Sequence, residues 1–242
     1  MAELFLTRAT LHPSAADNPR LWQQLANDYG VHQLIWQWFE APAGTERDFL
    51  YRIDSAPPGS AGPVVHTLSR RAPKDQNGHF SFEVKHYAPV LETGDWLEFQ
   101  VRVSPTRVKS RGPSAIADGK RVDKSHGKRV DVVMDAKYAE RGLPNDERTP
   151  EAVQVQRTCS SWLLAKQERL GIEVELGSLL ATSYRQQHLG HGAKGGSIRY
   201  STVDLSGRLQ IVDPQAFLTG IGDGLGPQKA FGCGLWLIKR AR

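Results

Sequence analysis

The sequence predicts an α+β fold that is built twice along the chain. Short runs alternate apolar and polar residues, as in residues 80–87, which is typical of a strand with one buried face. Residues 31–39 instead follow a helical period. The apolar members of that period are Val31, Leu34, Ile35, Trp38 and Phe39. The elements run strand, helix, strand, strand, helix, strand in each half, which indicates two tandem βαββαβ units with antiparallel sheets. This is the ferredoxin-like architecture that RNA-recognition domains share.

The first half supplies one such unit, which we expect to cover residues 1–92. Its predicted strands are residues 3–11, 46–54, 63–70 and 80–87. Asn27 or Asp28 provides an N-cap for the helix between the first two strands. The connection of residues 71–79 has room for the second, short helix of the unit.

The second half supplies the other unit, which we expect to cover residues 93–242. Its predicted strands are residues 95–103, 172–176, 197–204, 208–212 and 234–238. A helix opens at Pro150 and ends at Gly171, and Asp213 with Pro214 begins another. No sequence repeat is visible between the halves, so the duplication rests on the order of elements alone.

Length and composition exclude several classes of protein. The chain has 242 residues, of which 39% are hydrophobic, which is enough for a packed core and too much for a fully disordered chain. The longest strongly apolar run, residues 34–39, is far shorter than the roughly 20 residues that a membrane-spanning helix needs. We therefore expect no membrane segment, and the amino-terminal residues lack the apolar core of a signal peptide, which predicts a cytoplasmic protein. Cys159 and Cys233 are too few for a disulfide framework or a zinc site, and we expect both to be buried.

The net charge of +5 favours an anionic partner only weakly, but its distribution is uneven. Residues 102–129 contain nine Lys or Arg against two Asp, and the set includes Arg102, Arg107 and Lys109. Such a segment is either a solvated loop or an arm that contacts phosphates. Composition alone favours the solvated loop.

Tyr29, His32 and Trp36 form a stripe on the first helix, beside its apolar face and outside it. Because Tyr29 and His32 are three positions apart, a phenol and an imidazole lie next to each other where both can reach one ligand. An imidazole titrates near neutral pH and a phenol donates or accepts one hydrogen bond, so the pair suits acid–base chemistry. A histidine that only packs remains the alternative.

The strongest feature of the sequence is a glycine-rich segment, residues 220–234. It has no Gly-Lys-Ser/Thr, so it is not a Walker loop, and it lies after a helix and before a strand, unlike a dinucleotide fingerprint. A flexible turn is one interpretation. The other is a loop whose bare backbone N–H groups approach phosphates, with Lys229 adding charge.

The spacing within this segment resembles the glycine-rich signature of CRISPR RNA-processing endoribonucleases. The residues that carry it are Gly224, Gly226, Lys229, Gly232 and Gly234, followed by an apolar strand. The Tyr29-x-x-His32 helix, the strand RDFLYRID and the segment GRLQIVDPQAFL resemble the CasE branch, which belongs to the type I-E Cascade complex. The likeness runs over most of the chain and is weakest in residues 55–79 and 104–148.

The resemblance implies a metal-independent endoribonuclease without a cofactor. Its partners would be the stem-loop of the CRISPR repeat RNA and other Cascade subunits, and it would cut at the 3′ base of the stem. The ribose 2′-OH would attack the adjacent phosphate and leave a 2′,3′-cyclic phosphate. By match to the motif, His32 would transfer the proton and Tyr29 would orient the 2′-OH. Some members carry a basic residue five positions after the histidine, where this chain has Gln37, so the cation that stabilises the phosphate is left open.

The resemblance also suggests residues that contact RNA. A basic hairpin of the second domain has its counterpart in residues 188–200, with Lys194 and Arg199 as candidates and Arg185 behind them. The glycine loop adds Gly224, Gly226, Lys229 and Gly232 as further candidates, and the basic run adds Arg102, Arg107 and Lys109. His188 and His191 lack accompanying cysteines or carboxylates, so we expect no metal there.

Two other functions remain open from the sequence. A tandem RNA-recognition protein without catalysis would carry an Arg/Lys-Gly-aromatic-Gly-aromatic run on a central strand, and the chain has none. A structural Cascade subunit that has lost cleavage agrees with the glycine loop but not with an intact Tyr29 and His32 pair.

Overall fold

Two large antiparallel sheets divide the chain, one within residues 5–86 and the other within residues 96–240, and two short two-stranded sheets lie within residues 106–131 of the described chain. The structure is a computed structural model that describes residues 3–40, 42, 44–109, 116–117, 120–121, 128–189 and 198–241. Within these ranges, no helix combines the length and the hydrophobicity that a membrane crossing requires. The α+β class with two ferredoxin-like sheets is confirmed, whereas the domain limits of 1–92 and 93–242 stay a prediction.

The first sheet has the strand order of a ferredoxin-like unit. Its strands are β1 (Phe5–Leu11), β2 (Phe49–Asp54), β3 (Val64–Ser69) and β4 (Phe80–His86), in the order β2-β3-β1-β4. Helices α1 (Pro19–Leu25) and α2 (Asp28–Trp36) connect β1 to β2, after a 3₁₀ turn at Pro13–Ala15.

The second helix for which residues 71–79 have room is absent from the structure. The Asp75 side chain instead accepts hydrogen bonds from the backbone N–H groups of Asn77, at 3.0 Å, and Phe80, at 2.6 Å. These bonds give the backbone an alternative to a helix and fix a turn before β4.

The second sheet follows the same order, with one strand split in two. The strands of this half are β5 (Trp96–Val103), β6 (Thr106–Lys109), β7 (Ile116–Ala117), β8 (Lys120–Arg121), β9 (Lys128–Asp131), β10 (Ile172–Val174), β11 (Leu180–Leu189), β12 (Ile198–Ile211) and β13 (Trp236–Arg240). Its helices are α3 (Val132–Ala139), α4 (Glu151–Leu164), α5 (Gln167–Leu170) and α6 (Pro214–Asp223), with 3₁₀ turns at Leu176–Ser178 and Lys229–Phe231. The sheet order is β10-β12-β5-β13, and β11 pairs with β12 beside β10.

The strand predictions for residues 197–204 and 208–212 were wrong in one respect, because both segments belong to the single strand β12. Gly207 between them pairs with Phe99 of β5 inside the ladder and forms no turn. β12 pairs with β11 along its first part and with β10 at its end, so it extends into a long hairpin.

The core has two parts, which meet at the first sheet. Helices α1 and α2 cover one face of that sheet, and the five predicted helix residues are at most 3% exposed. Leu50 and Leu68 point to the opposite face and join the core of the second domain. That core also contains Cys159 and Trp162 of α4, and Cys233 is fully buried, so both cysteines are buried as expected.

Candidate active site

Tyr29 and His32 lie one turn apart on α2, close to the amino-terminal end of the helix. The helix starts here because the Asn27 side chain accepts a hydrogen bond from the N–H of Gly30, at 2.7 Å. Tyr29 is 58% exposed, whereas His32 is half-buried. The pair therefore lies on one surface, with the phenol in solvent and the imidazole partly enclosed.

The surroundings of His32 favour a neutral imidazole. The Trp36 Nε1–H donates to His32 Nε2 at 3.1 Å, so the neutral ring carries its proton on Nδ1. That Nδ1 is buried and has no hydrogen-bond partner in the described part of the chain. Burial, and then the positive charge of Arg47, lower the pKa of His32 below its ordinary 6.5. At neutral pH the ring is therefore uncharged, and its one basic nitrogen is Nε2, which accepts the hydrogen bond from Trp36.

The glycine-rich segment is the wall that faces His32. The ring of Phe231 lies 6.4 Å from the imidazole, centroid to centroid. Gly232 has a φ of +76°, and a Cβ there would lie 3.3 Å from the Tyr51 ring. Gly224 has a φ of +72°, and a Cβ there would lie 2.7 Å from Leu50. Glycine lets this segment lie directly on the first domain, so these two residues have a packing reason in addition to the predicted contact with RNA.

Two hydrogen bonds fasten the elements of the site across the domains. The Tyr51 hydroxyl of β2 donates to the carbonyl of Ala230 at 2.8 Å. The Tyr200 hydroxyl of β12 donates to the carboxylate of Asp28, at the start of α2. The Tyr200 ring also stacks on Phe231, with centroids 5.1 Å apart. Helix α2 and the glycine-rich segment are thereby held in fixed positions relative to both sheets.

A groove with an unusual charge lies on one side of the glycine-rich segment. It has a volume of about 570 Å³ and is lined by Gly226, by the segment up to Ala230 and by four basic residues. We call it the cationic groove after these four residues, which are Arg47, Arg129, Lys166 and Lys229. None of them forms an ion pair with another described residue, and no described carboxylate lines the groove. Burial lowers the pKa of Lys229, and Arg47 and Arg169 lower it further, while Asp223 opposes the shift.

A second cleft, of about 610 Å³, is lined by Phe231 and Gly232, which follow Ala230 in the glycine-rich segment. We call it the ion-paired cleft, because its lining includes the charged residues Arg52, Asp54, Arg102 and Asp204. Arg102 donates to both carboxylate oxygens of Asp204 at 2.9 Å and to the carbonyl of Ile53 at 2.7 Å. Arg52 donates to Asp54 at 2.7 Å. The charges here neutralise one another and join β2 to the second sheet.

Three of the residues predicted to contact RNA, Arg102, Arg107 and Lys109, form ion pairs within the protein. Because Arg102 is occupied by Asp204 and Ile53, we leave it out of the proposed RNA-binding residues. Arg107 and Lys109 of β6 both pair with Asp135 of α3, the lysine at 2.8 Å, although both are more than half exposed. Because these two cations are exposed, they can exchange the Asp135 carboxylate for a phosphate, and they stay predictions.

The predicted hairpin corresponds to β11 and β12. Arg199 is exposed and pairs in register with His188, and Arg185 is exposed at the rim of the ion-paired cleft. A β-bulge between Thr182 and Arg185 turns this strand locally. Lys194 and His191 lie outside the described residues, as does most of the basic run between residues 110 and 127. Among the described residues, no group of three His, Cys, Asp or Glu is placed to hold a metal ion.

Comparison with known proteins identifies the family. A family model described as "CRISPR associated protein" matches residues 4–240. The chain belongs to this family of CRISPR-associated proteins. It is 27% identical to the CRISPR system Cascade subunit CasE of Escherichia coli K12, over 86% of this chain and 89% of that one. It is 28% identical to the CRISPR-associated endoribonuclease Cse3 of Thermus thermophilus, over 96% of this chain and 98% of that one.

A solved structure gives the same result for the fold. The CRISPR endoribonuclease Cse3 bound to a 19-nucleotide RNA superposes with a TM-score of 0.69 at 23% identity, and covers 98% of this chain and 99% of that chain. The resemblance to the CasE branch is therefore confirmed, and so is the fold that it implies.

Sequence reasoning missed Arg47. This residue was part of the strand segment that carried the resemblance, but nothing in the sequence distinguished it from neighbouring basic residues. Its neighbour Asp48 would be its natural partner, yet Asp48 pairs through both oxygens with Arg71, each at 2.8 Å. A sequence cannot show that pairing, since the two residues meet only across the folded sheet.

Proposed function

We propose that the chain is a metal-independent endoribonuclease that cuts precursor CRISPR RNA at the 3′ base of the repeat stem-loop. The observation that carries the proposal is the placement of His32. A neutral, half-buried imidazole, with Tyr29 one turn before it, faces a glycine-rich segment beside a groove whose cations form no ion pair with a described residue. The family membership of the chain and the names of its relatives support the same activity.

In the proposed reaction, the nucleophile belongs to the substrate. The ribose 2′-OH replaces the Trp36 N–H at His32 Nε2 and gives its proton to that nitrogen, and its oxygen attacks the adjacent phosphorus. As the new bond to the 2′-oxygen forms, the bond from phosphorus to the 5′-oxygen breaks, and that oxygen takes up a proton from water. The products are a 2′,3′-cyclic phosphate and a 5′-OH. Tyr29 orients the 2′-OH, and the protein supplies positioning and charge rather than a carboxylate cluster.

RNA binding is proposed to use both sides of this site. Arg185, Lys194 and Arg199 of the hairpin would contact the stem, and Lys229 with the backbone of residues 224–232 would hold the strand near the cut. Because the reaction breaks one bond below the stem and leaves these contacts in place, the product would stay bound. The enzyme would then remain with its product as a subunit of a Cascade complex in the cytoplasm.

Cleavage of a labelled repeat RNA in EDTA tests the proposal directly. We expect one cut at the 3′ base of the stem, and turnover that stops near one product per enzyme. A substrate with a 2′-deoxy sugar on the 5′ side of the scissile phosphate should bind and stay intact, since it lacks the nucleophile. Activity that disappears in EDTA and returns with Mg²⁺, or cleavage of the deoxy substrate, would indicate a metal-bound water instead.

The same experiment distinguishes the nuclease from two alternatives that do not cut. A non-catalytic tandem RNA-recognition protein would bind the repeat and leave it whole. A structural Cascade subunit would also leave it whole, and would join the other subunits without the need for an intact Tyr29 and His32.

A further inference from the structure

Arg47 stands out among the arginines of the first domain because it is partly buried and no described residue pairs with its charge. Its Nε and Nη1 atoms are buried and have no hydrogen-bond partner among the described residues. By contrast, Arg52 donates to Asp54, and Arg71 is held by both oxygens of Asp48. A desolvated guanidinium without a counter-ion is costly, and protein folds usually pair such a group. The guanidinium of Arg47, partly buried and unpaired among the described residues, therefore indicates that this site binds a negatively charged ligand.

The position of Arg47 fits the reacting phosphate. It lies two residues before β2 and lines the cationic groove, whose other wall is the segment from Gly226 to Ala230. Phe231, the next residue of that segment, faces His32 at 6.4 Å. Arg47 and His32 thus flank the same stretch of backbone. Arg47 is also close enough to His32 for its charge to lower the pKa of the imidazole.

Gln37 supplies no charge to this site. It is exposed, and its amide oxygen accepts from the Asn77 side chain at 3.5 Å. Lys229 and Lys166 also line the groove, but a lysine offers a point charge, and Lys166 lies over the Trp162 ring at 4.2 Å. A guanidinium presents a planar fork of donors that matches two phosphate oxygens.

We infer that Arg47 is a catalytic residue of the proposed ribonuclease, which binds the non-bridging oxygens of the scissile phosphate and stabilises the negative charge of its pentavalent transition state. This inference rests on the proposed function. A cation that is free of a carboxylate stabilises developing charge without first breaking an ion pair.

The test compares Arg47→Gln with Arg70→Gln in single-turnover cleavage at saturating protein. Removal of one donor from a preorganised anion site costs about 10²- to 10³-fold in rate, and we expect a loss of that size for Arg47→Gln, with less than tenfold weaker binding. Arg70 is exposed and lies away from the groove, so its variant removes the same charge and should cut at the normal rate. Arg47→Lys keeps a charge but loses the fork, so we expect a loss of about tenfold.

Cleavage rates on substrates with sulfur at the scissile phosphate add a second measurement, which would not distinguish the two diastereomers if Arg47 had only a structural role. Each of the two phosphorothioate diastereomers replaces one non-bridging oxygen. If Arg47 binds one of these oxygens, the Arg47→Gln penalty should shrink several-fold on that diastereomer and stay full on the other. Circular dichroism and a melting curve check that each variant is folded. If Arg47→Gln is unfolded, the cleavage rate of Arg47→Lys tests the role of Arg47 instead.

The outcomes are distinct. A normal rate in either Arg47 variant, or an equal penalty on both diastereomers, would overturn the role of Arg47 while cleavage by the unmodified protein still supports the proposed function. If the unmodified protein does not cut repeat RNA at all, the proposed function fails and this inference fails with it.

Discussion

The cationic groove and the ion-paired cleft are lined by successive parts of the same glycine-rich segment, and both contain arginines. In the ion-paired cleft, Arg102 is held by Asp204 and Ile53. In the cationic groove, Arg47 and its three basic neighbours form no ion pair with a described carboxylate. A paired guanidinium must give up its carboxylate before it can bind phosphate, whereas an unpaired one is ready. The pairing, and not the number of charges, separates a structural cation from a functional one.

The largest effect is expected at His32, which faces the segment between the two clefts. His32→Ala should slow single-turnover cleavage by roughly 10²- to 10⁴-fold, because one proton-transfer group is removed. Repeat binding should change little, since the imidazole makes few phosphate contacts. Tyr29→Phe should cost less. A normal cleavage rate in His32→Ala would place the active site elsewhere, in which case the difference between the clefts would not bear on catalysis.

A smaller effect, on stability, is expected in the ion-paired cleft. Arg102→Ala leaves Asp204 without its main partner, and an unsatisfied, partly buried group costs about 1–3 kcal/mol. Urea unfolding should show this loss, while the single-turnover rate of the folded variant at saturating protein stays close to normal. Lys166→Gln, in the groove, is the matched variant and should leave the midpoint of unfolding almost unchanged. If Lys166→Gln lowers the stability and Arg102→Ala does not, the groove is the structural site and the cleft is not.

Salt dependence sharpens the comparison further. Each cation that no longer neutralises a phosphate should reduce the slope of log affinity against log salt by somewhat under one unit, at about 0.7 for a single strand and 0.9 for a duplex. Lys166→Gln combined with Lys229→Gln should therefore flatten the slope, and Arg102→Gln should leave it unchanged. Filter binding over a range of NaCl concentrations measures both. An unchanged slope in the double variant would instead assign the contacts to the hairpin and to the basic run of residues 102–129.

The smallest effect concerns protonation at the boundary of the groove. Arg47 is the cation that acts on His32, with Asp28 and Tyr29 as its neighbours on α2. Burial and this charge lower the pKa of His32, so the ring should reach half-protonation only at a pH below 6.5. Arg47→Gln removes a repulsion from the protonated ring, and the pKa should rise. NMR titration of the imidazole measures both values, and a fall in the variant would contradict the proximity of the two residues.

The sequence was sufficient for most of the fold because its signals were local. Alternation and helical periods depend on near neighbours, and they located the first-sheet strands and the buried face of α2 correctly. The errors arose where distant residues decide: Gly207 continues a strand because β5 pairs with it. The same limit applies to the site, since a helical period places Tyr29 beside His32, but only the folded chain shows that Asp48 pairs with Arg71 and leaves Arg47 free.

The bonds from Tyr200 to Asp28 and from Tyr51 to Ala230 join residues that are 172 and 179 positions apart. During synthesis, the ribosome therefore releases His32 long before it makes Phe231 and the wall of the cationic groove. A nascent chain that still lacks residues 224–234 can form the helix that carries the imidazole, but it has no surface on which to hold a scissile phosphate. The nuclease should therefore remain inactive while it is being translated and become active only when its second sheet has folded and packed against the first.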